Sequence, residues 1–247
     1  MKHQGRYFLK DSVRRSVDFS RTDQYLGMDP PPIQKPIPEG APAIDLPGPN
    51  GMWKILLAEA ISRRESRRSY SHENISLGEL SFLLWATQGV RGVPEQGHAL
   101  RTVPSAGCRH ALETYLAVFR VTGLEKGLYR YLPVGHELVL LKKPEGLETE
   151  TARAALGQRF AGRSAVTFVW TAIPYRMEWR YGDAAYKVIA LDAGHVCQNL
   201  YLACEAIGAG TCAIAAYDQE KADNLAGVDG EEEFVIYMAP VGKRITS

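Results

Sequence analysis

The stretch from Asp183 to Gly208, DAAYKVIALDAGHVCQNLYLACEAIG, most constrains how this chain can fold. Wound as a helix, it carries apolar residues on nearly every side except at Asp192, Gln198, Asn199 and Glu205, so it has to be buried centrally or in a subunit interface. Gly208 and Gly210 mark its end. The rest of the chain must supply its walls. AVTFVWTAI, at 165–173, reads as a strand whose continuous hydrophobicity implies burial on both faces. ETYLAVFRV, TCAIAA and EEEFVIYMAPVG supply further strands, and LYRYLP and HELVLL form a hairpin across the turn around Pro133 to Gly135. Strands separated by helices, with hairpin pieces, predict an α+β domain with a mixed, mainly antiparallel sheet flanked by helices.

Residues 1–50 read differently. Prolines at 30, 31, 32, 36, 38, 42, 47 and 49 interrupt any helix or central strand, which predicts an extended arm ahead of a domain at 51–247. Ile33, Ile37, Ile44 and Leu46 recur through it, as in a strap lying on the domain or on a partner subunit. With Asn50 as N-cap, Trp53, Leu56, Leu57, Ala60 and Ile61 make an amphipathic helix stripe. Ser76 with Glu79 is a capping box that opens a second helix ending near Gly89. The stretch QGVRGVPEQGHALRTVPSAGC reads as an irregular loop, and another helix is placed near 147–157.

Composition narrows the partners. Lys and Arg number 29 against 28 Asp and Glu, a net charge of +1, so nothing global draws the chain to nucleic acid or anionic lipid. No run reaches the ~18 apolar residues of a membrane span, and the N-terminus lacks the apolar core of an export signal, so a reducing cytoplasm is expected. Cys108, Cys197, Cys204 and Cys212 form no C-x-x-C pair and no zinc-like spacing with histidine; they read as small buried apolar groups.

Arg63, Arg64, Ser66, Arg67 and Arg68 are the densest positive patch. Arginine's rigid fork matches phosphate oxygens, and a serine hydroxyl adds a donor, although charge alone fits a solvated basic turn. Context along the chain is more telling. The run Arg64-Glu65-Ser66-Arg67-Arg68-Ser69-Tyr70 is followed by LRTVPSAGCRHALETYLAVF at 100–119 and GLYRYLP at 127–133. DAGHVCQNLYLACEAIGAGTCAI at 192–214 and PVGK at 240–243 complete the series. Together these resemble the nitroreductase family, and PSAGCRH, GLYRY and DAGHVCQNLYLA, with the proline-rich arm, are similar to its SagB-type or thiazoline-oxidase branch.

The resemblance spans roughly residues 33–247 and implies a homodimeric FMN enzyme. It implies that Arg64, Ser66 and Arg68 hold the phosphate and ribityl end and that Pro104, Ser105, Ala106 and Gly107 line the isoalloxazine. Gly208, Gly210 and Thr211 would bring a backbone turn close from the other side, and Lys243 or Arg244 would add a cation at the phosphate. Tyr186 and Lys187 are the expected proton donor or acceptor pair, with Tyr181 and Arg180 in reserve. Glu65 departs from the family pattern and weakens phosphate binding unless it points away. His195 is expected to be a satisfied core histidine, and Cys108 to pack against the ring.

The expected activity is hydride transfer through flavin N5, with NAD(P)H reducing nitro or quinone-like electrophiles or in SagB-type dehydrogenation. Azoline dehydrogenation in peptide modification ranks below it, because a chain of this length carries no peptide-recruiting domain. A flavin-free protein of the same fold, binding another phosphorylated ligand, is a further reading. The chain has no G-x-S-x-G elbow and no G-x-G-x-x-G after a strand, which argues against a hydrolase and a Rossmann site.

Overall fold

The computed structural model describes residues 4–49, 53–92 and 97–245. In chain order its elements are α1 (Gln4–Leu9), β1 (Ala43–Asp45), α2 (Leu57–Arg63), β2 (Ile75–Ser76), α3 (Leu77–Gln88), β3 (Leu112–Val118), β4 (Val121–Thr122), β5 (Gly127–Leu132) and β6 (Glu137–Lys142). There follow α4 (Leu147–Ala154), α5 (Phe160–Arg163), β7 (Val166–Ala172), α6 (Tyr175–Tyr181), α7 (Ala185–Ala206), β8 (Ala209–Thr211), α8 (Gln219–Ala226) and β9 (Phe234–Lys243).

Seven strands form one sheet in the order β1-β6-β5-β3-β7-β9-β8, every pairing antiparallel. β2 and β4 make a small parallel pair apart from it. The apolar run at 166–172 lies between β3 and β9 with every residue buried, as its composition requires. Alternation along the strands divides the core. Leu116, Phe168 and Trp170 pack with Leu80, Leu83 and Leu84 of α3 and with Ile189, Val196 and Leu200 of α7. Tyr115, Ala117, Val169 and Met238 face the other way, onto α4, α5 and α8. The result is an α+β sandwich of helices on both faces of an antiparallel sheet.

The capping box opens α3: Glu79 N donates to Ser76 Oγ at 3.2 Å, and Ser76 N donates to Glu79 Oε2 at 2.8 Å. α2 is shorter than its pattern predicts. It begins at Leu57, leaves Trp53 outside, and buries only Ala60, while Leu56, Leu57 and Ile61 are exposed. The Asn50 cap lies outside the described residues. α7 matches its predicted span but is buried on one face only; Tyr186, Ala190, Leu191, Gly194, His195 and Gln198 are exposed. Alanine and glycine leave little apolar surface there, which is why an outer face survives on so apolar a helix. His195 is therefore a surface residue, its side chain 50% exposed and 3.9 Å from Asp192, not a core histidine. Of TCAIAA only Thr211 belongs to β8; beyond it the chain leaves the sheet except for a bridge from Ile214 to Met238. α6 and α8 carry no expectation from the sequence; α8 starts on Asp218, whose carboxylate accepts from Lys221 N at 3.1 Å.

The arm is not extended throughout. Ahead of the prolines it makes short helical turns at Gln4–Leu9, Asp11–Arg15 and Phe19–Arg21. The proline segment lies on the domain of its own chain, and β1 extends the sheet by pairing Ala43 with Val139. Proline removes donors and leaves carbonyls. The domain answers with arginines: Arg101 Nη2 donates to Ile33 O at 2.7 Å, and Arg130 Nη2 to Pro36 O at 2.5 Å. Beneath the strap, Glu113 Oε1 accepts from Lys35 N at 3.0 Å and from Arg176 Nη2 at 2.5 Å, with the Arg176 and Glu113 side chains each 2% exposed.

Removing one partner of such a pair strands the other charge. Glu113→Ala is expected to cost about 3–5 kcal/mol, read as a lower urea midpoint at unchanged slope. An unaltered midpoint would mean that this pair does not secure strap and sheet.

Candidate cofactor and substrate site

Residues 64–71 run as an irregular strand along the β8 edge. Ser66 bridges to Thr211, Arg67 N donates to Thr211 O at 2.9 Å, and Ser71 N donates to Lys243 O at 2.9 Å. Side chains alternate along such a segment. Arg64 and Ser66 turn to Tyr201 of α7, the guanidinium 5.4 Å from the ring centroid and Ser66 Oγ 2.9 Å from Tyr201 Oη. Tyr201 Oη also accepts from Ala213 N at 2.8 Å.

Arg67 turns away, and its aliphatic stem fills the space that a side chain at Gly210 would need. Glycine at 210 thus admits Arg67, and Thr211 is buried beneath the same segment. Arg67 Nη1 lies 2.5 Å from Glu65, so the departing acid is turned to arginine, and Arg244 Nη1 lies 3.0 Å from Glu205. Lys243 Nζ pairs with Glu79 and donates to Ile207 O at 2.7 Å, capping the carbonyl end of α7. Gly208 closes that helix with φ +66°, and its carbonyl accepts from Arg244 N at 3.1 Å. Arg68 does not join Arg64. Its guanidinium lies 6.0 Å from the Phe160 centroid, in a cavity of about 690 Å³ that Tyr70, His72, Arg120 and Arg163 line and that neither Arg64 nor Ser66 reaches.

The second predicted element, Pro104 to Gly107, is tied to the middle of α7. Ser105 and the Ala106 amide lie close enough to Asp192 to lower its pKa against the rise that burial causes, and His110 N donates to Ser105 Oγ at 3.0 Å. Pro104 and Gly107 are exposed, and Ser105 and Ala106 are half-buried. Asp192 and Tyr201 stand about 14 Å apart along α7 at 1.5 Å per residue. One helix therefore carries both the loop and the arginine end.

Gly107 has φ +59°, and a Cβ there would come 2.7 Å from Tyr181 Oη and 3.1 Å from Arg180 Cδ. Tyr181 and Arg180 thus meet the loop. Tyr186 is 46% exposed, and partial burial together with a bond to Glu178 pushes its hydroxyl up to about 12; Lys187 lies half-buried beside the arm, where its charge acts on Asp11. Cys108 is half-buried, while Cys197 is buried and its thiol is pushed up to about 12 by that burial.

Sequence reasoning missed Asp192, Tyr201, Arg67 and Glu205 as members of this site. Asp192 and Glu205 were visible as acids on an apolar helix, the signal of a buried carboxylate with work to do. Tyr201 gave none, because tyrosine there reads as core.

Comparison with known proteins shows the family to which this fold belongs. The model of the nitroreductase family matches residues 61–243. The chain is 33% identical over 192 residues to a nitroreductase-family protein of Methanocaldococcus jannaschii, covering 78% of this chain and 93% of that one. The trifolitoxin-processing protein of Rhizobium leguminosarum bv. trifolii is 29% identical over 115 residues, 45% of this chain and 31% of that protein. Among solved structures, a nitroreductase-family protein of Ralstonia eutropha JMP134 superposes with a TM-score of 0.70 at 26% identity, over 89% of this chain and 96% of that one. The chain belongs to the nitroreductase family. Among the described residues no helix is long and apolar enough to cross a membrane.

Asp192 gives this site a pH signature. Burial, opposed by Ser105, His195 and the Ala106 amide, raises its pKa above the ordinary 3.8. The folded state then holds the proton more tightly than the unfolded one, so stability falls as pH rises from about 3.8 through the raised value. Asp192→Asn removes this cost, and urea midpoints of the flavin-free protein should fall less between pH 4 and pH 7 than in the wild type. Identical pH slopes would contradict the assignment.

Proposed function

We propose that the chain is an FMN-dependent oxidoreductase that uses NAD(P)H to reduce nitro or quinone-like electrophiles, working as a cytoplasmic homodimer. One observation carries the cofactor assignment. Arg63 pairs with Glu59 and Arg67 with Glu65, whereas Arg64 and Arg68 have no carboxylate within ion-pair distance among the described residues. Arg64 with the exposed Ser66 hydroxyl beside it on Tyr201 is a donor pair that fits a phosphate monoester, and Arg68 lies apart from it at Phe160.

Arg64 and Ser66 hold that phosphate, and Arg68 joins them by rotating its exposed side chain from Phe160. Lys243 stands behind as a charge fixed by Glu79. The chemistry that FMN supplies when bound is hydride transfer through its N5. Ser105 and Gly107 offer backbone N–H groups to the ring, while Pro104 and Ala106 line it, the loop held beside Asp192. Gly208, Gly210 and Thr211 act at one remove, Gly210 by admitting Arg67. For the proton, Tyr181 takes precedence over Tyr186 and Lys187, since it meets the 104–107 loop. The exposed Leu56, Leu57 and Ile61, with Leu191 on the outer face of α7, form the apolar surface that a second copy covers.

A second reading, azoline dehydrogenation in peptide modification, is favoured by the similarity to the trifolitoxin-processing protein, of which the chain matches 31%.

Purified protein should absorb near ~450 nm after dialysis and turn over NADPH with a nitroaromatic. A colourless protein that refuses FMN would defeat the assignment, and oxygen-dependent oxidation of a thiazoline without NADPH turnover would select the second reading. Tyr181→Phe should lower kcat about 100-fold or more, the range of a positioned proton donor, with flavin content retained. Sedimentation at micromolar concentration should show a dimer.

A further inference from the structure

The turn Phe19–Arg21 and the residues after it leave a cavity of about 570 Å³ against the end of α6, lined by Phe19, Thr22, Gln24, Tyr25, Arg180 and Tyr181. Its floor adjoins the 104–107 loop, because Gly107 packs on Tyr181 Oη and Arg180 Cδ. Its wall is fixed: Gln24 N donates to Trp179 O at 2.9 Å, Trp179 Nε1 donates to Met28 O at 3.1 Å, and Thr22 Oγ1 donates to Phe19 O at 2.8 Å.

The charge in this cavity is one-sided. Arg180 is the one charged residue among its described lining residues. The acids of the same arm segment, Asp18 and Asp23, line the adjoining cavity with Glu178 and Asp183 instead. Arg180 also has no carboxylate within ion-pair distance among the described residues, and its neighbour Arg109 stacks on Trp179 with the guanidinium 4.5 Å from the ring centroid. This half-buried guanidinium, with the Tyr181 ring 5.6 Å away and the Arg109 cation as a neighbour, favours an anion beside it. Phe19 and Tyr25 are 38% and 72% exposed and offer aromatic surface to a flat ligand.

We infer that this cavity is the substrate pocket and that Arg180, with the arm residues Phe19 and Tyr25, selects planar aromatic electrophiles carrying a carboxylate. The inference rests on the reading that the flavin ring lies against residues 104–107. It makes the arm a specificity element as well as a strap.

The test compares 4-nitrobenzoate with the neutral 4-nitrobenzyl alcohol on the flavin-loaded full chain, with flavin content read by absorbance in every variant. Wild type should favour the carboxylate by about 10-fold or more in kcat/KM, the worth of one charge-assisted bond. Arg180→Gln should bring that ratio to about one through KM, and Tyr25→Ala should raise KM for both compounds. Equal kcat/KM values in the wild type, or a ratio untouched by Arg180→Gln, would overturn the proposal while leaving the flavoenzyme intact. If the chain takes up no flavin, the proposed function fails, and calorimetric titration of 4-nitrobenzoate decides the pocket. Binding that Arg180→Gln abolishes supports it; absence of binding overturns it.

Discussion

Ile189, Val196, Cys197 and Leu200 hold one face of α7 against Phe168 and Trp170 at the centre of the sheet. Each such side chain, fully buried, contributes about 1.5–3 kcal/mol, and together they fix the rotation of the helix. That rotation sets where its polar residues emerge. Asp192 comes out beneath the 104–107 loop, Tyr201 beneath Arg64 and Ser66, and Glu205 between Arg67 and Arg244. A shift in how α7 packs would move loop and arginine segment together, so the site is as rigid as the core that carries it.

Charge is placed sparingly around this frame. Arg67, Lys243 and Arg244 are balanced by Glu65, Glu79 and Glu205, and they serve to close α7 and hold the 64–71 segment on β8. Arg64, Arg68 and Arg180 lack carboxylate partners among the described residues. The contrast separates cations committed to carboxylates from three that are not, Arg64 and Arg68 on the 64–71 segment and Arg180 beside the loop. The arm has its own logic, with proline carbonyls accepting from Arg101 and Arg130 so that a segment poor in donors still lies on its own domain.

Elements governed by local rules were legible in the sequence. The α3 capping box, the β5–β6 hairpin, the doubly buried β7 and the span of α7 follow from spacing and hydropathy alone. Orientation was less so. Of the α2 stripe Ala60 is buried and Trp53 packs on the core while Leu56, Leu57 and Ile61 are exposed, and His195 reads as buried on a helix whose outer face is open, because periodicity reports a face without saying what covers it. At the candidate site the arginine cluster was visible, and Arg63 and Arg67 find carboxylates close in sequence at Glu59 and Glu65, but the Glu205 that also faces Arg67 is distant in sequence from residues 64–68. The Asp192 anchor and the meeting of Gly107 with Tyr181 are likewise contacts that only the folded chain defines.

FMN and riboflavin share a ring and differ at the phosphate, so the ratio of their affinities isolates what the arginines do. Two charge-assisted bonds of about 1.5 kcal/mol each predict FMN binding about 100-fold tighter than riboflavin, a preference that Arg64→Ala with Arg68→Ala should erase. Equal affinities in the wild type, or a preference that survives the double substitution, would contradict the account.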